Sequence, residues 1–376
     1  MRLTAGQQRL RDDVREFTAK RITPEADRWD AEERLPADLV AAMAERGWLG
    51  ALAPVEHGGA GMDAVSFGLL NEELAFGCSS VRSLLTVHSM AVHAIARWGG
   101  AAARANWLPG LAAGATIGAF ALTETGAGSD AAALATTARR VAGGYVLDGH
   151  KRWTTFGQLA DVYLVFARHE DRLTAFMVPR DTPGLVVEPV AGMLGIRASM
   201  TADLRFTECF VAEENLVGRP GFGLAAVGTS ALDIGRYSVA WGCVGLLAAC
   251  LDLSLAHTDS RQTFGKPLSE HQLVRRLLAE QATNLAAARL LCREAGELKD
   301  AGDPRTVTAT WTAKYFASRS AFAAAADTVQ LFGAAGCGPR HPAQRLLRDA
   351  KIMEIIEGST QMQQIHLGQA ARESAR

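Results

Sequence analysis

A glutamate near the C-terminus, Glu357, has the surroundings of a general base. It follows Ile355 and Ile356 and precedes Gly358. Apolar neighbours raise the pKa of a carboxyl group, and a raised pKa suits a base that works near neutral pH. A single glutamate at the end of a helix is also commonly exposed to solvent without a chemical role. The local sequence leaves both interpretations open.

A glycine-rich segment, residues 120–130, could bind a phosphate or the polar edge of a ring. Gly126 and Gly128 allow close approach to backbone amides, and Ser129 adds a hydroxyl group. Ala131 stands where the third glycine of a dinucleotide-binding GxGxxG motif would be, so the segment is not that motif. The alternative is a glycine-rich turn before a strand.

Two further segments combine side chains that suit a flat, phosphorylated ligand. Trp153 with Thr154 and Thr155 places an aromatic ring beside hydroxyl groups, which suits a flat polar heterocycle. Arg261 and Thr263, between two predicted helices, could bind a diphosphate. Core packing of the tryptophan and an exposed loop around the arginine are the alternatives.

The composition is that of a globular protein without a nucleic-acid or membrane partner. The 376 residues are 48% hydrophobic and carry a formal net charge of −1, so no basic surface is available to bind a polyanion. The nine histidines and six cysteines show no metal-ligand spacing, and we expect reduced cysteines in a cytoplasmic protein. The longest apolar stretch, residues 241–251, is predicted to be too short to span a bilayer.

The hydrophobic pattern predicts an α+β protein with three domains. Residues 1–115 have helical periodicity, and residues 116–220 contain short β-rich runs with a hairpin turn expected at Asp148 and Gly149. Residues 221–376 contain four long helical segments, which are typical of a bundle. These segments cover residues 222–257, 268–299, 304–333 and 342–372. The prediction is an N-terminal helical domain, a middle β-barrel or sheet domain and a C-terminal four-helix bundle.

Together these motifs resemble the acyl-CoA dehydrogenase family, in the family's order and along nearly the whole chain. The resemblance is carried by residues 122–130, 153–155, 261–265, 271–272, 330–333, 348–351 and 357–361. It implies the family's fold, FAD as the cofactor and no metal. It also implies that Glu357 removes the α proton of an acyl thioester while a β hydride passes to flavin N5. The backbone amide of the same glutamate helps to bind the thioester carbonyl.

The resemblance further implies two sets of binding residues. Those expected to contact FAD are Phe120, Leu122, Thr123, Gly128, Ser129, Trp153, Thr154, Thr155, Arg261, Thr263, Phe264, Gln272, Gln330, Gly333, Ala334, Ser359 and Gln361. Those expected to contact the substrate are Arg82, Ser83, Ser129, Asp233, Arg236 and Gly358. In the family, the counterparts of Arg261 and Gln330 reach FAD in a neighbouring subunit, which implies a homodimer or homotetramer.

Narrower resemblances concern the substrate. Arg82 and Ser83, with Arg236, are similar to glutaryl-CoA dehydrogenase, in which the Arg–Ser pair binds the distal carboxylate of the acyl group. The same segments resemble a polyketide-pathway branch that oxidises hydroxyacyl groups on acyl carrier protein toward hydroxymalonyl or methoxymalonyl extender units. We expect a short oxygenated acyl thioester on coenzyme A or a carrier protein, with an electron acceptor such as an electron-transferring flavoprotein. The alternative is that Arg82 caps a helix or pairs with Glu72 or Glu73.

Other functions stay open on the sequence alone. They are a glutaryl-CoA-type or short-chain acyl-CoA dehydrogenase of catabolism, a flavin oxidase or monooxygenase, and a non-enzymatic FAD-bound scaffold that binds a carrier protein. The presence of Glu357 favours a dehydrogenase, because proton abstraction needs a base.

Overall fold

Helices form the first part of the chain. The structure is a computed structural model that describes residues 3–374, so the outer domain limits predicted at residues 1 and 376 lie outside the described residues. The helices are α1 (Ala5–Phe17), α2 (Ala26–Glu32), α3 (Ala37–Glu45), α4 (Ala64–Gly77), α5 (Ser79–Trp98) and α6 (Ala101–Ala112). Helix α5 is buried along most of its length, and its buried residues include the polar Arg82, Ser83 and His88.

A single mixed sheet follows the helices. Its strands are β1 (Gly118–Ala121), β2 (Thr137–Val141), β3 (Gly144–Thr154), β4 (Val162–His169), β5 (Arg172–Pro179), β6 (Leu185–Pro189), β7 (Ala202–Ala212) and β8 (Leu216–Val217). The order across the sheet is β6-β7-β3-β2-β4-β5-β8, and β1 pairs in parallel with β4. In the part of the chain that the structure describes, the predicted middle β domain is an eight-stranded sheet.

The hairpin turn predicted at Asp148 and Gly149 is wrong. Strand β3 runs through both residues, and the turn lies at Gly143, which has a φ of 79°. At Gly149 the register against β7 shifts, which marks a β-bulge. A Cβ atom on Gly149 would collide with Thr136, so glycine is needed here for close approach of strands and not for a turn.

The last part of the chain is helical, with a small hairpin between its first two long helices. The elements are α7 (Thr229–Ser260), β9 (Gln262–Thr263), β10 (Lys266–Pro267), α8 (Gln272–Asp300), α9 (Thr306–Phe332), α10 (Pro342–Met353) and α11 (Thr360–Ser374). By length and apolarity, the stretch Gly223–Ser260 is enough to cross a membrane, contrary to the prediction from residues 241–251. Because 67% of its most apolar 18-residue stretch is buried inside the protein, this helix is part of the core.

The fourth helical segment of this part, predicted as residues 342–372, is broken. Helix α10 ends at Met353 and α11 begins at Thr360. Between them, Glu357 and Gly358 have φ values of 56° and 85°. An α-helix cannot continue through two left-handed residues, so the break presents Glu357 on a turn.

Close packing between α4 and α7 fixes the position of the long central helix. A Cβ atom on Gly68 would collide with the Trp241 ring, and one on Gly245 would collide with the Glu72 carbonyl oxygen. Glycine therefore lets the two helix backbones approach each other closely. Since α7 also carries Gly235 and Arg236, this packing sets the position of one wall of the site described below.

Candidate active site

The Glu357 turn is held by side chains from three helices. Arg236 Nε on α7 donates to the Glu357 carbonyl oxygen at 3.2 Å, and Lys314 Nζ on α9 donates to the Gly358 carbonyl oxygen at 2.7 Å. The Gln363 side-chain amide on α11 reaches both carbonyl oxygens at 3.4 Å. These bonds stabilise a left-handed conformation that a non-glycine residue adopts only at a cost in energy.

The Glu357 carboxylate packs against helix α7 at Gly235, where no side chain occupies the space. A Cβ atom on Gly235 would collide with the carboxylate oxygens, so glycine makes the space that the side chain occupies. Oxygen Oε2 is buried and has no hydrogen-bond partner among the described residues. Burial raises the pKa of Glu357 to about 7, against the opposing charges of Arg236, Lys314 and Arg82. A carboxylate in this state can accept a proton near neutral pH.

Glu357 lines a cleft with a volume of about 400 Å³. Residues from all three parts of the chain surround this cleft. They include Arg82, Ser83, Thr86, Val87, Phe120, Leu122, Thr123, Gly128, Ser129, Arg152, Trp153, Thr155, Ile196, Arg236, Ile356, Gly358, Ser359 and Gln363. The predicted base and the predicted ring-binding segments therefore meet in one space.

The Trp153 ring lies at the cleft with 48% of its surface exposed. Its backbone amide donates to Asp203 Oδ1 at 3.0 Å, and the Arg152 guanidinium lies 5.1 Å from its ring centroid. Three residues later the Phe156 amide donates to the Ser199 carbonyl oxygen at 2.8 Å. Trp153 and Phe156 both have positive φ; the indole is half exposed, whereas the phenyl ring is fully buried.

A buried ion pair supports the glycine-rich segment. Lys151 Nζ donates to Glu124 Oε1 at 2.6 Å and to the Leu122 carbonyl oxygen at 3.1 Å. Glu124 also accepts bonds from the amides of Ala135 and Thr136. Burial lowers the pKa of Lys151 to about 8 despite its partner. The pair fixes both ends of the loop that brings Ser129 to the cleft.

Arg82 is a buried cation at the cleft that has no carboxylate within ion-pair distance among residues 3–374. Its side chain donates to Thr86 Oγ1 at 3.0 Å and to Met353 Sδ at 3.0 Å. Burial lowers its pKa. The alternative that Arg82 pairs with Glu72 or Glu73 is wrong, because the partners of these carboxylates are arginines of other helices.

Several predicted site residues lie elsewhere. Asp233 forms an ion pair with Lys299 on α8 and does not line the cleft. The Thr154 side chain is buried beneath the Trp153 turn. The predicted FAD contacts that do not line the cleft, besides Thr154, are Arg261, Thr263, Phe264, Gln272, Gln330, Gly333, Ala334 and Gln361. All of these except Gln361 lie at one end of the helical domain, where His257 near the end of α7 stacks on Phe332 at the end of α9.

Sequence reasoning missed several residues of the cleft lining, among them Thr86, Arg152 and Ile196, and three residues that hold the Glu357 turn. Gly235, Lys314 and Gln363 contact the Glu357 turn but belong to none of the motifs. The available signals were a glycine inside a long helical pattern and a lysine between the buried alanines of α9. Both signals are weak, because either residue type also occurs on exposed helix faces.

A single cleft that holds a carboxylate oxygen without a partner, an exposed indole ring and the Thr155 hydroxyl group indicates a class of enzyme. Such an enzyme removes a proton from a substrate bound beside a flat redox cofactor.

The chain belongs to the acyl-CoA dehydrogenase family. Models of the family's N-terminal, middle and C-terminal domains match residues 4–115, 119–209 and 221–371. The short-chain specific acyl-CoA dehydrogenase of Rattus norvegicus mitochondria is 37% identical over 364 residues, which are 95% of this chain and 88% of that protein. The chain is therefore an oxidoreductase that acts on the CH–CH bond of acyl thioesters.

Two solved structures show the same fold. Glutaryl-CoA dehydrogenase from Mycobacterium smegmatis in complex with FADH2 is 32% identical with a TM-score of 0.93, covering 98% of this chain and 95% of the other. FkbI, described for biosynthesis of the methoxymalonyl extender unit of the polyketide Fk520, is 37% identical with a TM-score of 0.89, covering 96% and 99%. The α+β fold predicted from the sequence is confirmed.

FAD is the cofactor of this family and of this chain. The residues at the cleft fit it. A Cβ atom on Gly126 or Gly128 would meet no atom within 4 Å, so the glycine-rich segment leaves room for a ligand beside its backbone. The exposed Trp153 ring and the Thr155 hydroxyl supply the flat surface and the hydrogen-bonding group that a flavin ring requires.

Proposed function

We propose that this chain is an FAD-dependent acyl-thioester dehydrogenase in which Glu357 removes the proton α to the thioester carbonyl. The observation that carries the proposal is the buried, unpartnered Oε2 of Glu357 in the same cleft as Trp153 and Thr155. A buried carboxylate without a partner is costly to a fold, and such groups concentrate at functional sites.

The chain's own residues supply binding, orientation and the base. Bound FAD supplies the acceptor for the hydride that leaves the β carbon. Within residues 3–374 the Glu357 amide donates to no acceptor, so it is free to bind the thioester carbonyl and acidify the α C–H bond. The buried side chains of Val87 and Leu122 limit water in the cleft, which strengthens these interactions. Residues that would hold the flavin ring are Thr123, Ser129, Trp153 and Thr155.

The acyl group is best explained as short and oxygenated or dicarboxylic. Arg82 is buried at the cleft without a carboxylate partner, and a plain alkyl chain would leave its charge unpaired. A hydroxyl or carboxylate oxygen on the acyl group would accept from its guanidinium. The similarity to glutaryl-CoA dehydrogenase and to FkbI supports this substrate class. Either coenzyme A or an acyl carrier protein can carry such a group.

The remaining proposals concern FAD sharing and electron transfer. The seven predicted FAD contacts at the end of the helical domain serve, in our proposal, the FAD of a second copy of this chain. We propose that the reduced cofactor passes electrons to a soluble acceptor such as an electron-transferring flavoprotein.

Anaerobic titration of the purified yellow protein tests the dehydrogenase proposal. Butyryl, glutaryl and hydroxyacyl thioesters, each on coenzyme A and on a carrier protein, are added while flavin absorbance is recorded. We expect bleaching by at least one polar thioester and none with Glu357→Gln, because the amide keeps the shape and loses the base. A Glu357→Gln protein that bleaches at the wild-type rate would show that the base is elsewhere.

The same titration with Arg82→Ala tests the substrate class. We expect the variant to lose its preference for oxygenated or dicarboxylic thioesters while it retains butyryl reduction. Arg15→Ala is a matched control, since Arg15 is an arginine paired with Glu73 outside the cleft. Equal losses with all three acyl groups would exclude recognition of a distal oxygen by Arg82.

A further inference from the structure

Lys314 on α9 is a buried cation directly behind the Glu357 turn. Its side chain is fully buried, and its ammonium group donates to the Gly358 carbonyl oxygen at 2.7 Å. No carboxylate among residues 3–374 lies within ion-pair distance of Nζ. A lysine buried with a backbone carbonyl as its acceptor costs stability, which a structural role alone does not explain.

Three charged side chains act on Glu357, and α11, which also packs on the turn, adds the neutral Gln363 and, at the cleft, the titratable His366. The three charged side chains are Arg82 on α5, Arg236 on α7 and Lys314 on α9. Arg82 and Arg236 also line the cleft, where a bound substrate meets them, whereas Lys314 does not. The groups that act on Lys314 are Cys243, Glu357, Arg236 and Glu354. Burial lowers the pKa of Lys314 to about 8, so it still carries its proton at neutral pH.

We propose that Lys314 is a positioning residue for the base: it fixes the left-handed turn through the Gly358 carbonyl, and its charge favours the carboxylate form of Glu357. The inference rests on the proposed function, because it assumes that Glu357 is the base. Since Lys314 lies outside the cleft lining, its charge stays in place whichever substrate is bound.

Two variants separate the two parts of the role. Lys314→Met removes both the donor and the charge, and Lys314→Gln keeps a donor for Gly358 but removes the charge. Lys351→Met is the matched control, since Lys351 is a nearby lysine paired with Glu354 at 2.9 Å and not with the turn. The rate of anaerobic flavin reduction by a saturating thioester is measured across pH 5–9.

In both Lys314 variants we expect the rate to reach half of its plateau at a pH about 1 unit higher than in the wild type. The reason is that loss of a nearby positive charge raises the pKa of a carboxyl group. Lys314→Gln should keep more of the plateau rate than Lys314→Met, and Lys351→Met should match the wild type. Profiles with the wild-type midpoint in both Lys314 variants would overturn the charge role. Equal plateau rates in Lys314→Met and Lys314→Gln would show that the hydrogen bond from residue 314 to the Gly358 carbonyl does not position the base.

A second measurement does not depend on turnover. The unfolding free energy of the FAD-bound protein is compared at pH 5 and pH 8, with and without Glu357→Gln. We expect Lys314→Gln to increase the loss of stability at pH 8, and Glu357→Gln to remove most of that increase. A small part remains because Lys314 itself loses its proton near pH 8 in the folded protein. An increase of the same size with and without Glu357 would overturn the proposal. If Glu357→Gln still reduces flavin normally, the proposed function fails and the Lys314 measurements then concern stability alone.

Discussion

One residue of the turn, the proposed base, illustrates how a site can weaken the fold that holds it. Glu357 has a left-handed backbone and a buried carboxylate oxygen without a partner. Arg236, Lys314 and Gln363 compensate by bonding the carbonyl oxygens of the turn and leave the carboxylate oxygen unbonded. The result is a carboxylate that is fixed in place but not neutralised by an ion pair, as the proposed proton abstraction requires.

The pKa of Glu357 predicts a pH-dependent cost in stability. Its folded value of about 7 exceeds its ordinary value of 4.5, so the folded state binds more protons than the unfolded state between these pH values. Stability therefore falls as pH rises through this window, by up to about 3 kcal/mol. Glutamine has no proton to lose. We therefore expect the free energy of unfolding of Glu357→Gln to equal that of the wild type near pH 4.5 and to be larger than that of the wild type at pH 8.

Chemical denaturation of the FAD-bound protein at both pH values measures this difference. Glu56→Gln, at an exposed glutamate, is the control and should change neither value. A Glu357→Gln variant with the same advantage at both pH values would contradict a raised pKa in the folded state.

Gly235 yields the second prediction at the scale of a residue. Alanine inside a helix is more stable than glycine by about 1 kcal/mol. At position 235, however, its Cβ would displace the Glu357 carboxylate. We expect Gly235→Ala to fold with near wild-type stability and to reduce flavin at least about tenfold more slowly, because misplacing a reacting group by about 1 Å is costly.

Thermal unfolding and anaerobic stopped-flow reduction of the same samples separate stability from rate. Gly368→Ala is the matched control, since a Cβ there meets nothing within 4 Å on another helix. Unchanged reduction by Gly235→Ala would show that the carboxylate can work from another position.

Residues of the site could be predicted from the sequence where a residue of one chemical type stands among neighbours of another type. Glu357 between two isoleucines and a glycine is such a residue, and so is the Trp153 segment with its hydroxyl groups. Gly235 and Lys314 could not be found in this way. Their importance depends on which face of a long helix meets the turn, and helix rotation is set by packing such as that of Gly68 against Trp241.

At the scale of elements, α10 connects the Glu357 turn to the other side of the cleft. Asp349 on α10 accepts from the Ile196 amide at 2.6 Å, and Ile196 lines the cleft. Ile196 has a φ of 46°, which is strained for a β-branched residue. The carbonyl of Ser199 in the same loop accepts from Phe156, at the end of the Trp153 turn. One helix thus fixes both the approach to Glu357 and the surface that we propose binds the flavin ring.

This connection predicts that Asp349→Ala weakens FAD binding as well as stability. The Ile196 amide would lose its acceptor, at a cost of about 1–3 kcal/mol, and the strained loop would relax away from the cleft. We expect a lower unfolding temperature and a higher FAD dissociation constant, measured by fluorescence on reconstitution of apoprotein. Asp38→Ala removes an exposed ion pair with Arg21 and is the control. Lower stability with unchanged FAD affinity would contradict the proposed connection.

The element types could be predicted from periodicity, but two boundaries could not. The apolar pattern continues through Ile355 and Ile356, and Gly358 alone is too weak a signal to predict the break between α10 and α11. The Asp148-Gly149 pair is a strong turn signal, yet β7 pairs with β3 on both sides of it. In both places contacts with distant segments override the local preference.

At the scale of the whole molecule, the predicted FAD contacts form two groups that one copy of the chain does not bring into one cleft. The first group lies with Glu357, and the second lies around the β9–β10 hairpin and the end of α9. Phe264 at the tip of this hairpin is 97% exposed, and Leu273 and Leu290 on α8 are 77% and 68% exposed. Large apolar side chains exposed to this degree are typical of a surface that a partner covers.

We therefore expect a dimer or a dimer of dimers in which this surface meets a second copy and its FAD. A charge at the hairpin tip should disrupt that contact, so Phe264→Asp is expected to dissociate the protein and to weaken FAD retention together. Val55→Asp, at another exposed apolar residue of the helical N-terminal part, is the control for a general effect of added charge. Sedimentation velocity combined with the flavin-to-protein absorbance ratio measures both properties in one experiment. A wild-type monomer that retains one FAD per chain would refute the shared site. A Phe264→Asp monomer with full FAD would also refute it, because the hairpin would then serve association but not the cofactor.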